Sequence, residues 1–195
     1  MATKKIGETS YKETAFGIIG RSKLIPLEIE GIKRAWDFVL QKQKTGKTQI
    51  TSEFIKKLHF VGFAWIFPKT GGKFRTIEVV VSKHTPPKSY LIPELMLNFC
   101  EDLKTRIKRM PKMTEKDFSN TLIILLAWAH HRFLWIHPFQ DYNGRIGRLL
   151  TNIILLNLNF PPIELKVETK TGRKRYVSAL QEADKGNLNN RTYAP

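Results

Sequence analysis

Cysteine is nearly absent from this chain: Cys100 is the only one among 195 residues. No internal disulfide can form, and a reducing cytoplasm is the simple reading. No apolar run reaches membrane-spanning length without charges or polar breaks, so no membrane is expected. Met1 to Glu8 is polar and has no apolar centre, so no secretory leader is expected either. Internal repeats and low-complexity tracts are lacking. Gly46-Lys47-Thr48 is similar to the end of a P-loop, but Gln41 stands where that motif needs its first glycine, and this excludes it. His130, His131 and His137 lie one and six residues apart, on different faces of a helix, so no zinc cluster is expected. Acidic residues are scarce, 17 against 33 Lys and Arg, for a net charge of +16. Such a balance suits nucleic acid or a membrane surface. Yet the basic residues are spread along the chain, and no nucleic-acid motif accompanies them. An acidic protein target, or a basic surface around a nucleotide site, explains the charge as well.

What the chain does have is a dense polar loop between two apolar runs. Thr121 to Ile136 leads in and Leu149 to Phe160 leads out. Between them lies His137-Pro138-Phe139-Gln140-Asp141-Tyr142-Asn143-Gly144-Arg145-Ile146-Gly147-Arg148. Pro138 disfavours helix at His137, so the first helix should stop there, and Asn143 suits the cap of a second. A helix start offers free N–H groups and a positive dipole end to phosphate, and Gly144 lets the backbone come close. Arg145 and Arg148, three apart, share one face of the first turn, where two guanidinium forks would grip phosphate oxygens. Asp141 is a hard oxygen donor suited to Mg²⁺ shared with phosphates. His137 titrates near neutrality and suits removal of a proton from an attacking hydroxyl. Each residue alone has an ordinary structural explanation. Together they describe transfer of a phosphorus-containing group from a nucleotide, chemistry carried mostly by positioning and charge neutralisation.

This run resembles the signature loop of Fic-domain proteins, His-Pro-Phe-x-Asp/Glu-Gly-Asn-Gly-Arg-x-x-Arg. Eight of its nine fixed positions are met, by His137, Pro138, Phe139, Asp141, Asn143, Gly144, Arg145 and Arg148. Tyr142 departs, standing where glycine is usual. If that position takes a positive φ, tyrosine costs about 1–2 kcal/mol there. The resemblance implies transfer of AMP from ATP to a Ser, Thr or Tyr hydroxyl of a protein, with pyrophosphate leaving. It implies His137 as the base, Asp141 as the Mg²⁺ ligand and Phe139 as the loop's anchor in the core. It implies Asn143, Gly144 and the helix start as the phosphate cradle, with Arg145 and Arg148 on the outer oxygens. A kinase branch of the family carries lysine in the slot of Gly144, so Gly144 argues for the adenylylating branch.

Two further elements rest on the same resemblance. Many Fic proteins carry an inhibitory helix, Ser/Thr-x-x-x-Glu-Gly/Asn, whose glutamate pairs with the second loop arginine. Glu30-Gly31 fits it, with Pro26 in place of Ser or Thr, so Glu30 is expected to oppose Arg148. A β-hairpin flap over the site docks the target as an added strand, and Val79, Val80, Val81, Ser82, Lys83, His84 and Thr85 are the candidates for it. An ordinary exposed glutamate and a plain surface hairpin are the structural alternatives.

Periodicity supplies the frame. Ile29, Ile32, Trp36 and Val39/Leu40 predict a helix from Pro26 to about Lys42. Thr51 caps a helix through Phe60, and Phe63, Trp65, Ile66 and Phe67 read as core. Gly72-Lys73-Phe74-Arg75 resembles a recurrent Fic element, and the β-branched run Ile77 to Val81 should be extended. Ile92, Leu95/Met96, Phe99, Leu103 and Ile107 predict the next helix. Thr114 with Asp117 resembles a cap for a central helix over Glu115 to Ile136. The phosphate-binding helix covers Gly144 to Asn159. Gly147 inside it costs roughly 1 kcal/mol against alanine, for which close packing or ligand approach is the reason. A last helix spans about Gly172 to Lys185, with Tyr176 and Ala183 inward.

The expected fold is mainly α, a Fic-like helical bundle with a small β-hairpin flap. Residues 1–26 form an arm and 27–195 the domain, with 27–42 as candidate inhibitory helix. The expected activity is a Mg²⁺- and ATP-dependent adenylyltransferase acting on a protein substrate, itself included, as a monomer or homo-oligomer. Another phosphoryl-type transfer or removal of AMP at the same loop stays open, as does a non-catalytic module that holds nucleotide or nucleic acid.

Overall fold

The computed structural model describes residues 11–81, 84–164 and 169–184. Two short strands, β1 (Tyr11–Thr14) and β2 (Gly17–Gly20), pair antiparallel, with Tyr11 opposite Gly20 and Thr14 opposite Gly17. The helices α1 (Arg21–Gln43), α2 (Ser52–Phe63), α3 (Ile92–Lys108), α4 (Phe118–Ile136), α5 (Asn143–Asn157) and α6 (Lys170–Asp184) follow. α4 packs against α3, α5 and α6, which is why its sequence is apolar on several sides. Trp128, Phe133 and Ile136 from α4 meet Ile146, Leu150 and Ile153 from α5 in one core, and Phe139 joins them from the loop between.

α1 shows what hydrophobic periodicity misses. Its buried stripe is Leu24, Glu28, Gly31, Ala35 and Val39, a helical seam one residue away from the predicted one. Ile29 is 65 % exposed. The seam is narrow because α1 crosses α2 at two glycines: a Cβ on Gly31 would run into the Gly62 carbonyl. Gly31 is therefore required by packing. α1 also starts at Arg21, so Pro26 lies inside it, and the boundary expected at 26/27 falls within a helix. Of the expected arm, residues 1–10 lie outside the described residues, while 11–20 are the hairpin.

Thr51 caps α2 as predicted, its hydroxyl accepting from Phe54 N at 3.1 Å. The cap predicted for α4 is not formed. Asp117 has helical torsions and no side-chain cap bond. Glu115 instead accepts from Lys112 N at 2.7 Å, closing the preceding turn, and the helix begins at Phe118. Asn157 ties the end of α5 to the loop after α1. It accepts from Thr48 N (2.9 Å) and Gln43 (2.9 Å) and donates to Thr48 O (2.8 Å).

The small sheet lies at residues 11–20, whereas the predicted flap carries one antiparallel bridge, Val81 with His84. Ser82 and Lys83 lie outside the described residues. Ile77 to Val80 form no strand and Val80 is 73 % exposed. β-branched residues favour a strand through the neighbours they pack on, and Pro86-Pro87 remove two donors from any longer ladder. Among the described residues no helix is long and apolar enough to cross a membrane.

Candidate active site

His137 ends α4 in a left-handed conformation, φ 51° and ψ 59°. Its Nδ1 lies 3.3 Å from the Leu134 carbonyl. A carbonyl only accepts, so Nδ1 carries the proton and Nε2 keeps its lone pair. Burial lowers the pKa of this imidazole to about 4; donation to Leu134 opposes the shift, and the positive fields of Arg75 and His84 add to it. His137 is thus a neutral base at pH 7.

Three groups hold the loop from beneath. Arg75, 3 % exposed, donates from Nε to His137 O (2.8 Å), from Nη1 to Ile77 O (2.9 Å) and from Nη2 to Pro87 O (2.6 Å). Its own N–H reaches Pro138 O at 2.8 Å. His59 accepts from Gly72 N at Nδ1 (2.9 Å) and donates from Nε2 to Asp141 O (3.2 Å). Its ring stacks on Phe139 at 3.9 Å between centroids. Asn143 closes the arc: its Oδ1 accepts from Phe139 N (2.9 Å) and its Nδ2 donates to Phe139 O (2.7 Å). The amide expected to cap α5 is instead buried, at 1 % exposure, and bonded to the loop backbone.

The cap of α5 is Tyr142, at φ 65° and ψ 11°. This is the positive φ that tyrosine enters at a cost of about 1–2 kcal/mol. Its ring stacks on Phe63 at 4.0 Å and 9°, a contact of about 0.5–1.5 kcal/mol. Its hydroxyl donates to Glu28 at 2.8 Å, and a hydrogen bond to a charged group contributes about 1.5–3 kcal/mol. The two contacts offset the strain.

The two arginines diverge. Arg145 turns to α1 and donates to Glu28 at 2.7 Å. Arg148 stays beside Gly144, and its positive charge acts on the Tyr176 hydroxyl of α6, against the burial that raises that group's pKa. That hydroxyl in turn meets His130 Nε2 at 2.7 Å. Gly147 packs closely on α4, where a Cβ would come within 3.3 Å of His130. The first bonds of α5 run from Arg145 N and Ile146 N to Tyr142 O, both 3.0 Å. The N–H groups of Asn143 and Gly144 precede them and point out of the helix start.

Asp141, half exposed, pairs through Oδ2 with Lys12 Nζ of β1 at 2.8 Å. A cleft of about 380 Å³ opens beside them, lined by Lys12, Thr14, Phe67, Gln140 and Asp141 among others. Glu30 is not brought to the loop arginines: it pairs with Arg34 at 3.0 Å on the outer side of α1, and Glu28 takes the buried place. Of the flap candidates, His84 donates from Nε2 to Trp135 O at 2.9 Å, two residues before His137. Sequence reasoning missed Glu28, His59 and Lys12 as parts of the site and gave Arg75 no role. The available signals were an acid in the α1 seam and the Gly-x-x-Arg element.

His59 and His130 are buried, and burial lowers each pKa from an ordinary 6.5 to about 4. Between those values the unfolded chain binds more protons than the folded one. Their contribution is complete above pH 6.5 and is lost as pH falls toward 4, at about 1.4 kcal/mol per pH unit for each ring. The urea midpoint is expected to drop clearly from pH 7 to pH 5. An unchanged midpoint would contradict these assignments.

Residues 49–155 match the Fic/DOC family. The protein adenylyltransferase Fic of Drosophila melanogaster is 30% identical over 181 residues, 92% of this chain and 34% of that protein. Its Nematostella vectensis counterpart is 29% identical over 176 residues, 90% of this chain and 38% of that protein. The chain thus spans about a third of the length of the curated relatives it matches. Fic-1 from C. elegans superposes with a TM-score of 0.62 at 28% identity, covering 83% of this chain and 44% of that one. BepC from Bartonella tribocorum, solved with bound AMPPNP, superposes at 0.63 and 15% identity, covering 91% and 86%, and shares the fold.

Proposed function

This chain belongs to the Fic/DOC family, and from that premise we propose that it is a protein adenylyltransferase, moving AMP from ATP to a hydroxyl of a target protein. The observation that supports it most is the state of His137: a neutral imidazole with Nε2 unprotonated, in the loop that leads into the start of α5. The target hydroxyl gives its proton to Nε2 as its oxygen bonds to the α-phosphorus. The bond to the β-phosphate oxygen breaks, and pyrophosphate leaves. The Asn143 and Gly144 N–H groups and Arg148 hold phosphate oxygens. The name of the Drosophila relative and the AMPPNP carried by BepC favour ATP as the donor.

Asp141 fits Mg²⁺: its exposed carboxylate already holds a cationic group, the Lys12 ammonium, at 2.8 Å, and a lone carboxylate shared with phosphates is the usual Mg²⁺ arrangement. When bound, the ion would neutralise phosphate charge. The target segment docks beside Val81 and His84, whose bond to Trp135 sets that edge next to His137. With Cys100 as the single cysteine, a reducing compartment such as the cytoplasm is the proposed setting.

The test is incubation with Mg²⁺ and ATP labelled at the α- or the γ-phosphate. Protein label from the α position alone is expected. Label from γ alone would mean phosphoryl transfer, and tight nucleotide binding with no label on any protein would mean a binding module.

A further inference from the structure

Glu28 is 1 % exposed beneath the loop. Its carboxylate takes bonds from Arg21 Nη1 (2.8 and 3.0 Å), the Tyr142 hydroxyl (2.8 Å) and Arg145 Nη2 (2.7 Å). We propose that Glu28 is a positioning residue for the loop: from α1 it clamps the left-handed Tyr142 and turns Arg145 inward, leaving Arg148 as the arginine that meets phosphate. Only the kinetic part of its test rests on the adenylyl-transfer reading.

The geometry supports this in three ways. Glu28 lies one turn before Gly31, where α1 is wedged against Gly62 of α2, so its carboxylate has a fixed origin. Tyr142 is held at both ends, its ring on Phe63 and its hydroxyl on Glu28, at the residue whose torsions decide how the chain enters α5. Arg145 follows in the first turn of α5, its guanidinium also 5.1 Å from the Tyr142 ring, so fixing it fixes the helix start that carries the free N–H groups. One acid faces two guanidinium groups and a phenol. Burial pushes the carboxyl's pKa up, but bonds from Arg145 and Tyr142 and the charges of Arg145 and Arg21 hold it below its usual value. An amide at this place would turn an N–H₂ toward three donors. An aspartate would keep the acceptor oxygens one methylene short.

The test uses the full chain and its Glu28→Gln and Glu28→Asp variants, with AMPPNP and Mg²⁺ as the binding probe. For Glu28→Gln, hydrogen exchange at amides 139–147 is expected to accelerate about tenfold or more. The AMPPNP dissociation constant should stay within about threefold while kcat falls about 10²-fold and KM for ATP barely moves. Glu28→Asp should recover part of both losses. Arg148→Met should weaken AMPPNP about tenfold, and Arg145→Met about threefold or less. Unchanged exchange in 139–147 would overturn the proposal. So would tighter AMPPNP binding with a rising kcat, which would mean that Glu28 withholds Arg145 from phosphate. If the wild type transfers nothing, exchange and binding still decide the role of Glu28, since neither needs turnover. If Glu28→Gln does not fold, Tyr142→Phe removes only the hydroxyl bond; faster exchange confined to 139–147 is expected, and no local change would overturn the clamp.

Discussion

Replacing His137 by alanine is expected to cut AMP transfer about 10³-fold while leaving the affinity for ATP with Mg²⁺ within about threefold. The imidazole offers one thing to the reaction, the Nε2 lone pair that its bond to Leu134 leaves exposed. The groups proposed to hold phosphate are elsewhere, in the α5 start and at Arg148. Loop shape is a separate matter, because His137 sits at φ 51°, a region that asparagine tolerates better than alanine. His137→Asn is therefore expected to lose transfer as fully as His137→Ala with the loop undisturbed. Single-turnover labelling and titration calorimetry check both variants. Lost nucleotide affinity in His137→Asn would contradict the division of labour between base and cradle.

Arg75→Met is expected to cost roughly 3 kcal/mol of stability, because the carbonyls of His137, Ile77 and Pro87 all lose their charged donor. For a chain of this size that lowers the melting temperature by roughly 10 °C. Transfer should fall about 10²-fold as well, because the same guanidinium fixes the His137 carbonyl and the Arg75 N–H fixes Pro138. Arg75→Lys reaches fewer of the carbonyls, since an ammonium lacks the fork, and should recover only part of each loss. Calorimetry with the labelling assay reads both effects. A variant as stable and active as the wild type would mean that the loop holds its shape without this clip.

Much of the site was legible in the sequence because it is local. Loop, helix start and flanking apolar runs lie within forty residues, and Pro138 and Gly144 mark their geometry. The cost of Tyr142 could be named in advance, since a residue's own torsions set it. Its compensation could not, because Phe63 and Glu28 stand 79 and 114 positions away. Glu28 escaped notice because its seam is built on Gly31 and Ala35, which give a weak apolar signal, while the more apolar Ile29 beside it faces solvent. The same one-residue rotation of α1 leaves Glu30 on the outside with Arg34. Arg145 and Arg148 share a face by spacing, yet their long side chains part company because an acid lies on one side and Tyr176 on the other. The run Ile77 to Val81 has strand composition, yet among the described residues only Val81 of the run is paired, with His84, which composition alone cannot reveal.

The proposed chemistry turns on one ring nitrogen, so the most direct measurement is the titration of His137 by ¹⁵N NMR, free and with AMPPNP and Mg²⁺. A neutral ring protonated at Nδ1 through pH 7, with a midpoint near 4, is expected. A ring protonated at Nε2, or charged until pH 7, could not take the hydroxyl proton as described and would contradict the account.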